Sequence, residues 1–343
     1  MNDQRSRNSV DRQPRDEKHR AFGRELNVSE RLRVWRRRRK RRFLSALAAA
    51  TNALLGPRER NAFGILMYHR VVQPPPGLPQ PPYNVPPGRF EAQLRGLLRR
   101  GFEPWPLRKV LEYHRTGKSI PRRAFLVTFD DGFDNVYQFA WPVLERLSVP
   151  ATLFLATAYL DSPDPFPMDN WELAGSDRVP AVCWHPLTTE HCREMQASGL
   201  IDLAAHTHTH RDFRGRPKVF AEDLRHCLVE LRGRFGVEEA MFAFPYGDKK
   251  LGFAGRELAS VAKEVGVLCG LTTESELVRT GDDCFDWGRF MPEDFDTGAS
   301  LAAKLGGWYN YINRLVLPRE RRCPANGRVL SEQEDTGRIK SPQ

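Results

Sequence analysis

Apolar runs of strand length alternate along this chain with segments of helical period, and that alternation constrains the fold more than any other feature. The runs are 65–67, 124–127, 151–156, 200–203, 242–244 and 267–271. Between them, Phe90, Leu94, Leu97 and Leu98 keep helical spacing and stop at Gly101. Phe220, Leu224, Cys227, Leu228, Leu231 and Phe235 repeat the pattern and stop at Gly236; Leu258, Val261 and Val265 form a third such face. Strands separated by helices imply a parallel sheet and an α/β class. An open doubly wound sheet satisfies the pattern, and so does a closed barrel. In both, functional side chains gather where strands end.

Thr128-Phe129-Asp130-Asp131-Gly132 ends the second run. Two adjacent carboxylates beside a buried strand are costly to desolvate, and the alternation of a strand would splay them to opposite faces. An acidic turn explains the pentapeptide taken alone, because Asp-Gly is common in turns. The residues after the 200–203 run weigh against that simple account. There, Ala204-Ala205-His206-Thr207-His208-Thr209-His210 packs three of the chain's 9 histidines into one short stretch. Imidazole suits zinc and neighbouring divalent metals, and a carboxylate completes such a shell. A catalytic metal takes three protein ligands and keeps a position open for water. One Asp of the first motif and two of these His supply three. On a strand, 206, 208 and 210 share a face, whereas on a helical turn 206 and 210 do; spacing alone leaves the choice open. A threonine-rich edge strand with solvent-facing histidines is the plainer alternative. A third piece, Phe242-Ala243-Phe244-Pro245-Tyr246-Gly247, is an apolar strand stopped by a turn.

Taken in order, these motifs resemble the metal-dependent polysaccharide deacetylases (carbohydrate esterase family four), whose signatures are Thr-Phe-Asp-Asp-Gly, His-Thr-x-x-His and Arg-x-Pro-Tyr-Gly. Ile65-Leu66-Met67-Tyr68-His69-Arg70 and the Phe-Ala-Phe-Pro-Tyr-Gly form resemble the exopolysaccharide, or poly-N-acetylglucosamine, branch. The likeness spans residues 63–312. It implies a distorted (β/α) barrel and a hydrolase that removes N-acetyl groups from N-acetylglucosamine-containing polysaccharide. It also implies a divalent metal, zinc ahead of nickel, cobalt or iron, on Asp131, His206 and His210. Asp130 would be the general base, and Tyr246, through its backbone N–H beside Pro245, would bind the oxyanion. The family's usual acid lies in a Leu-x-His motif near the C-terminus, but no histidine follows His226. In the exopolysaccharide branch the acid comes from the first strand, which makes His69 the candidate. The third-motif arginine, which orients the base, is Ala243 here, and Arg289 in Asp286-Trp287-Gly288-Arg289-Phe290 is a substitute from a neighbouring strand. Asp283-Cys284-Phe285-Asp286-Trp287 also matches a fourth family motif, Asp-x-x-Asp-Trp, by spacing. The missing arginine keeps a catalytically weak carbohydrate-binding protein in play, alongside a metal amidohydrolase of a non-sugar amide.

The irregular segment 161–185 holds Trp171 and Trp184. They either stack on sugar rings or pack the loop onto the body. Charge divides the chain more sharply than it characterises it. Residues 1–60 hold 18 Lys and Arg against 7 Asp and Glu, leaving 35 against 36 elsewhere, so the formal net charge of +10 belongs to the N-terminal segment. The remainder is near neutral, which suits an uncharged sugar polymer. This gives a basic extension with a short helix (1–60), a catalytic domain (61–317) and a polar tail (318–343). Residues 2–27 read as disordered. The basic block 36–42 before the apolar stretch 43–50 reads as a targeting or export segment, or as a helix on an anionic membrane surface. Nucleic acid ranks last and is not expected to engage the catalytic domain. The six cysteines (183, 192, 227, 269, 284, 323) show no Cys-x-x-Cys pair; buried reduced thiols are the simple reading, and a cytoplasmic location stays open.

Overall fold

A computed structural model describes residues 28–59, 61–76, 83–167 and 179–316. The expected disordered segment 2–27, the tail 318–343, Trp171 and Cys323 lie outside them. Four parallel strands form one continuous ladder: β1 (Ala62–Tyr68), β3 (Ala124–Phe129), β4 (Ala151–Leu155) and β5 (Ile201–Ala205). Short β2 (Glu103–Pro104) flanks β3, and β6 (Val278–Arg279) runs antiparallel against the start of β1.

The ladder closes into a ring through single bridges. Ala205 bridges Phe242, Ala243 bridges Leu271, Leu271 bridges Trp287, and Phe290 returns to Leu66, all in parallel sense. Backbone N–H groups of Ala243, Leu271, Thr272 and Met67 donate to Ala205, Phe242, Trp287 and Phe290 across these joins. Four strands and three single-bridge segments therefore make a distorted barrel of seven, and the open doubly wound alternative is excluded. The runs at 242–244 and 267–271 are too briefly paired to count as full strands, which is where the distortion lies.

Side-chain parity sorts the residues. Phe63, Ile65, Ala124, Leu126, Phe154, Ala204, Ala243, Leu271 and Trp287 form one buried cluster that fills the barrel. Leu66, Tyr68, Phe125, Val127, Phe129, Leu153, Leu203, Phe242 and Phe290 belong to a second, which packs against the surrounding helices. These include α2 (Pro87–Leu98), α6 (Pro217–Phe235) and α7 (Arg256–Val265).

The basic segment differs from expectation. Rather than a short helix on an extension, α1 (Val28–Leu55) is 28 residues long and packs onto the body. Leu44 and Ala48 are buried with Ala303 of α8 (Gly298–Leu305) and Ile312 of α9 (Trp308–Val316). An apolar seam every fourth residue overrides the charge of the flanking arginines. Helix α8 also meets α2 backbone to backbone. A Cβ on Gly298 would stand 2.3 Å from the Gly96 Cα, and one on Gly96 would stand 2.7 Å from the Gly298 Cα. Gly298→Ala is therefore expected to cost about 1–3 kcal/mol, as overpacking does. A urea midpoint equal to the parent's would mean that the two helices separate freely.

Candidate active site

Inward parity continues past the filled interior to the C-terminal mouth. Residues 65 and 67 lead to His69, 126 and 128 to Asp130, 204 to His206, 243 to Pro245, and 287 to Arg289. Strand periodicity alone thus aims five of the expected site residues at one opening.

Asp131 has the wrong parity, and a turn corrects it. Gly132 N–H donates to the Asp130 carbonyl (3.0 Å), closing a three-residue turn with Asp131 at φ 73°. The expected splaying of the two carboxylates fails because the strand ends at Asp130. The same device recurs at the third motif, where Gly247 N–H donates to the Pro245 carbonyl (2.7 Å) around Tyr246 at φ 62°. Gly247 itself has φ 53°, and a Cβ there would meet the Thr273 backbone nitrogen at 2.9 Å. Thr207 and His210 also sit at positive φ, and His210 N–H donates to Thr207 Oγ1 (3.1 Å). Backbone strain of this kind, unusual for non-glycine residues, concentrates at functional sites.

The turn at 206–210 settles which histidines converge. Nε2 of His206 lies 3.5 Å and Nε2 of His210 3.3 Å from Asp131 Oδ1. One donor atom from each of the three residues falls within 4.8 Å of the others. His206 Nδ1 is 2.8 Å from the Ala243 carbonyl oxygen, which fixes that nitrogen as the donor and leaves Nε2 free to ligate. His208 turns away, stacked on His226 at 3.8 Å with Nδ1 against Thr157 Oγ1. Asp223 on α6 holds the turn, accepting the N–H groups of His208 (2.6 Å) and Thr209 (3.0 Å).

Asp130 stands apart from that group. The Arg289 guanidinium donates both its terminal nitrogens to it, at 2.6 and 2.7 Å, and both residues are buried. Arg289 is itself oriented by the Thr272 carbonyl (3.1 Å) and Thr128 Oγ1 (3.3 Å). So Ala243 lends a carbonyl to His206, while the guanidinium expected in that motif comes from a strand two bridges away. Burial pushes the Asp130 carboxyl up, but the charge and hydrogen bonds of Arg289 outweigh it and hold the group below the usual carboxylate range. Asp131 is likewise buried and brought far below that range by its hydrogen bond to His206 and by the neighbouring imidazoles. Burial drives His210 down to about 4, so it is neutral and able to ligate at neutral pH. Burial lowers His69 as well, with Asp131 and Asp130 opposing. One carboxylate and two imidazoles on one barrel rim, with a fixed tautomer behind one of them, fit a divalent cation of borderline softness.

Tyr83 was not legible in the sequence. Arg70 N–H donates to the Tyr83 carbonyl (3.3 Å), Val85 N–H to the Arg70 carbonyl (3.1 Å), and the Tyr83 ring stacks on His69 at 4.9 Å. Tyr246 packs edge-on against His210 at 4.8 Å, beside Pro245. Trp184 packs within its own loop: its Nε1 donates to the Val179 carbonyl (3.2 Å) and its ring packs with Val72, Val179 and Cys183. Asp283 and Asp286, the fourth spacing match, pair at the surface with Lys263 and Lys249. The five described cysteines are free, as expected of buried thiols.

Fold and site together define a (β/α)-barrel enzyme with a carboxylate–imidazole–imidazole donor set at its mouth. Comparison with known proteins makes the class specific. Residues 117–269 match the polysaccharide deacetylase family. A poly-beta-1,6-N-acetyl-D-glucosamine N-deacetylase of Staphylococcus aureus is 24% identical over 224 residues, covering 62% of this chain and 69% of that protein. A namesake from Escherichia coli is 28% identical over 151 residues, 44% of this chain and 21% of its own length. Among solved structures, IcaB from Ammonifex degensii superposes with a TM-score of 0.59 at 24% identity, over 73% of this chain and 97% of that one. The Streptococcus pyogenes deacetylase PplD gives 0.59 at 19% identity, over 72% and 99%. The likeness to the polysaccharide deacetylase family is thus carried by residues 117–269, and that family is metal-dependent.

Proposed function

We propose that this protein is a hydrolase that removes N-acetyl groups from N-acetylglucosamine residues of a polysaccharide. The observation that carries the reading is the division of two adjacent carboxylates: Asp131 faces His206 and His210, while Asp130 is gripped by Arg289. Asp131, His206 and His210 would hold the metal, with zinc the first choice for this donor set. When bound, a divalent cation polarises the acetyl carbonyl and lowers the pKa of water toward about 7. Asp130, ionised and held in one orientation, takes the proton from the attacking water. The Tyr246 N–H, at the apex of its strained turn, faces the developing oxyanion. His69, under the Tyr83 ring, delivers a proton to the departing amine. The flat Tyr83 ring at the mouth offers a surface for a sugar.

Acetate release from N-acetylglucosamine oligomers, with and without a chelator, tests the reading. Release that stops with chelator and returns with added zinc is the expected result. Turnover of small non-sugar amides alone would make it a different amidohydrolase. Oligosaccharide binding without acetate would make it a binding protein.

A further inference from the structure

We propose that the outward face of α1 is a docking surface for an anionic lipid bilayer. The packing of the helix fixes which face looks out. Leu44 and Ala48 are pressed into the seam with α8 and α9, Arg38 pairs with Asp294, and Arg41 pairs with Glu293 at 3.1 Å. The Trp308 indole donates to the Gly56 carbonyl (2.7 Å) just past the helix end. The opposite face carries Leu32, Trp35, Phe43, Leu47 and Leu54, related by i+3, i+4, i+7 and i+11 steps and so aligned in one stripe at 3.6 residues per turn. Their exposure is high: 54% for Trp35, 64% for Phe43, 40% for Leu47 and 83% for Leu54.

Cations interleave with this stripe. Arg36, Arg39 and Lys40 share its arc, Arg39 lies over the Trp35 ring at 5.3 Å, and no acidic residue occurs between Arg31 and Leu55. None of the three has an acidic partner among the described residues. A stripe of large apolar side chains flanked by cations matches an interface of headgroups over acyl chains. The rings and leucines enter the apolar layer, and long basic side chains snorkel to phosphates. Nucleic acid would use the same cations but would leave Phe43, Leu47 and Leu54 in water. No helix among the described residues is long and apolar enough to cross a membrane, so the contact lies along the surface.

The arrangement has a bearing on the deacetylase reading, on which this one point rests. Glu293 and Asp294 follow the Arg289 strand at the mouth end of the barrel, and the Arg41 charge is felt at Tyr83. Docking through α1 would hold the mouth close to the membrane surface.

The test is co-sedimentation of the full-length protein with vesicles of phosphatidylcholine, alone or mixed with phosphatidylglycerol. We expect pelleting only with the mixed vesicles. Phe43→Ser with Leu47→Ser should weaken it about tenfold or more, as should Arg36→Gln with Arg39→Gln and Lys40→Gln. Unfolding midpoints equal to the parent's show that these surface changes leave the fold intact. Equal pelleting with both vesicles, none with either, or an apolar variant that pellets like the parent overturns the proposal. So does duplex DNA that competes fully with vesicles while the apolar variant keeps its DNA affinity. Pelleting is read from protein and not turnover, so it fails or succeeds independently of the deacetylase assignment.

Discussion

Asp130→Asn is expected to lower kcat about 10³-fold while the protein still binds one metal ion. The amide fills the same space and still meets Arg289, but it cannot accept the proton of the attacking water, and general-base contributions are of this size. Asp131→Asn loses turnover as well, for a different reason. It removes the anionic donor that faces His206 and His210, so metal content should fall with activity. The two variants are neighbours in sequence and indistinguishable by activity. Metal analysis separates them, and equal occupancy in both would contradict the division of labour between the carboxylates.

Arg289→Ala carries the second large effect, and it reaches stability as well as rate. The guanidinium is fully buried and gives both terminal nitrogens to Asp130. Removing one member of a buried pair strands the other charge, which costs about 3–5 kcal/mol. A carboxylate no longer held by two hydrogen bonds also loses its aim, and small misplacements cost about 10²-fold in rate. The pH profile identifies the cause. Burial favours the protonated acid, and Arg289 is what overrides it. Without that cation the Asp130 carboxyl rises, so the acidic limb of kcat/KM moves to higher pH. The sign for stability follows. A depressed carboxyl stabilises the fold above its ordinary pKa and stops doing so as pH falls through the depressed value. The variant should therefore lose most stability at neutral pH and least in strong acid. Arg289→Lys restores charge without the fork and should recover part of the rate. A variant that lost stability but kept the parent's pH limb would make Arg289 a purely structural residue.

The loop carrying Asp296 supplies a smaller, independent test. Lys304 and Asp296 form a buried ion pair, and Asp296 also accepts from Ser300. Lys304→Met should cost several kcal/mol, while a paired Lys304→Met, Asp296→Asn replacement should recover much of it, because breaking a buried pair costs more than deleting it. Equal losses in the single and paired variants, measured by urea unfolding, would argue against this coupling.

Much of the site could be read from the sequence because a parallel barrel converts alternation into position. Once 124–127 is a strand, Asp130 points inward, and the same parity carries His206 and Arg289. Asp131 could not be read that way, since a turn with positive φ decides its direction and sequence periodicity says nothing about such turns. Nor could Tyr83, whose place over His69 comes from a bridge between Arg70 and Asn84 inside a proline-rich loop. Barrel closure rests on single bridges at Phe242, Leu271, Trp287 and Phe290; the apolar runs at 242–244 and 267–271 mark two of these segments, but nothing of strand length marks 287–290. The charge run at 36–42 concealed a buried seam, because Leu44 and Ala48 sit one turn beyond the arginines and their partners lie some 250 residues away.

Crystals grown with zinc and measured on both sides of its absorption edge would test the metal centre most directly. The predicted result is one anomalous peak bonded to Asp131 and to Nε2 of His206 and His210, with Asp130 still paired to Arg289 and outside bonding distance. A peak elsewhere, or one ligated by Asp130, would contradict it.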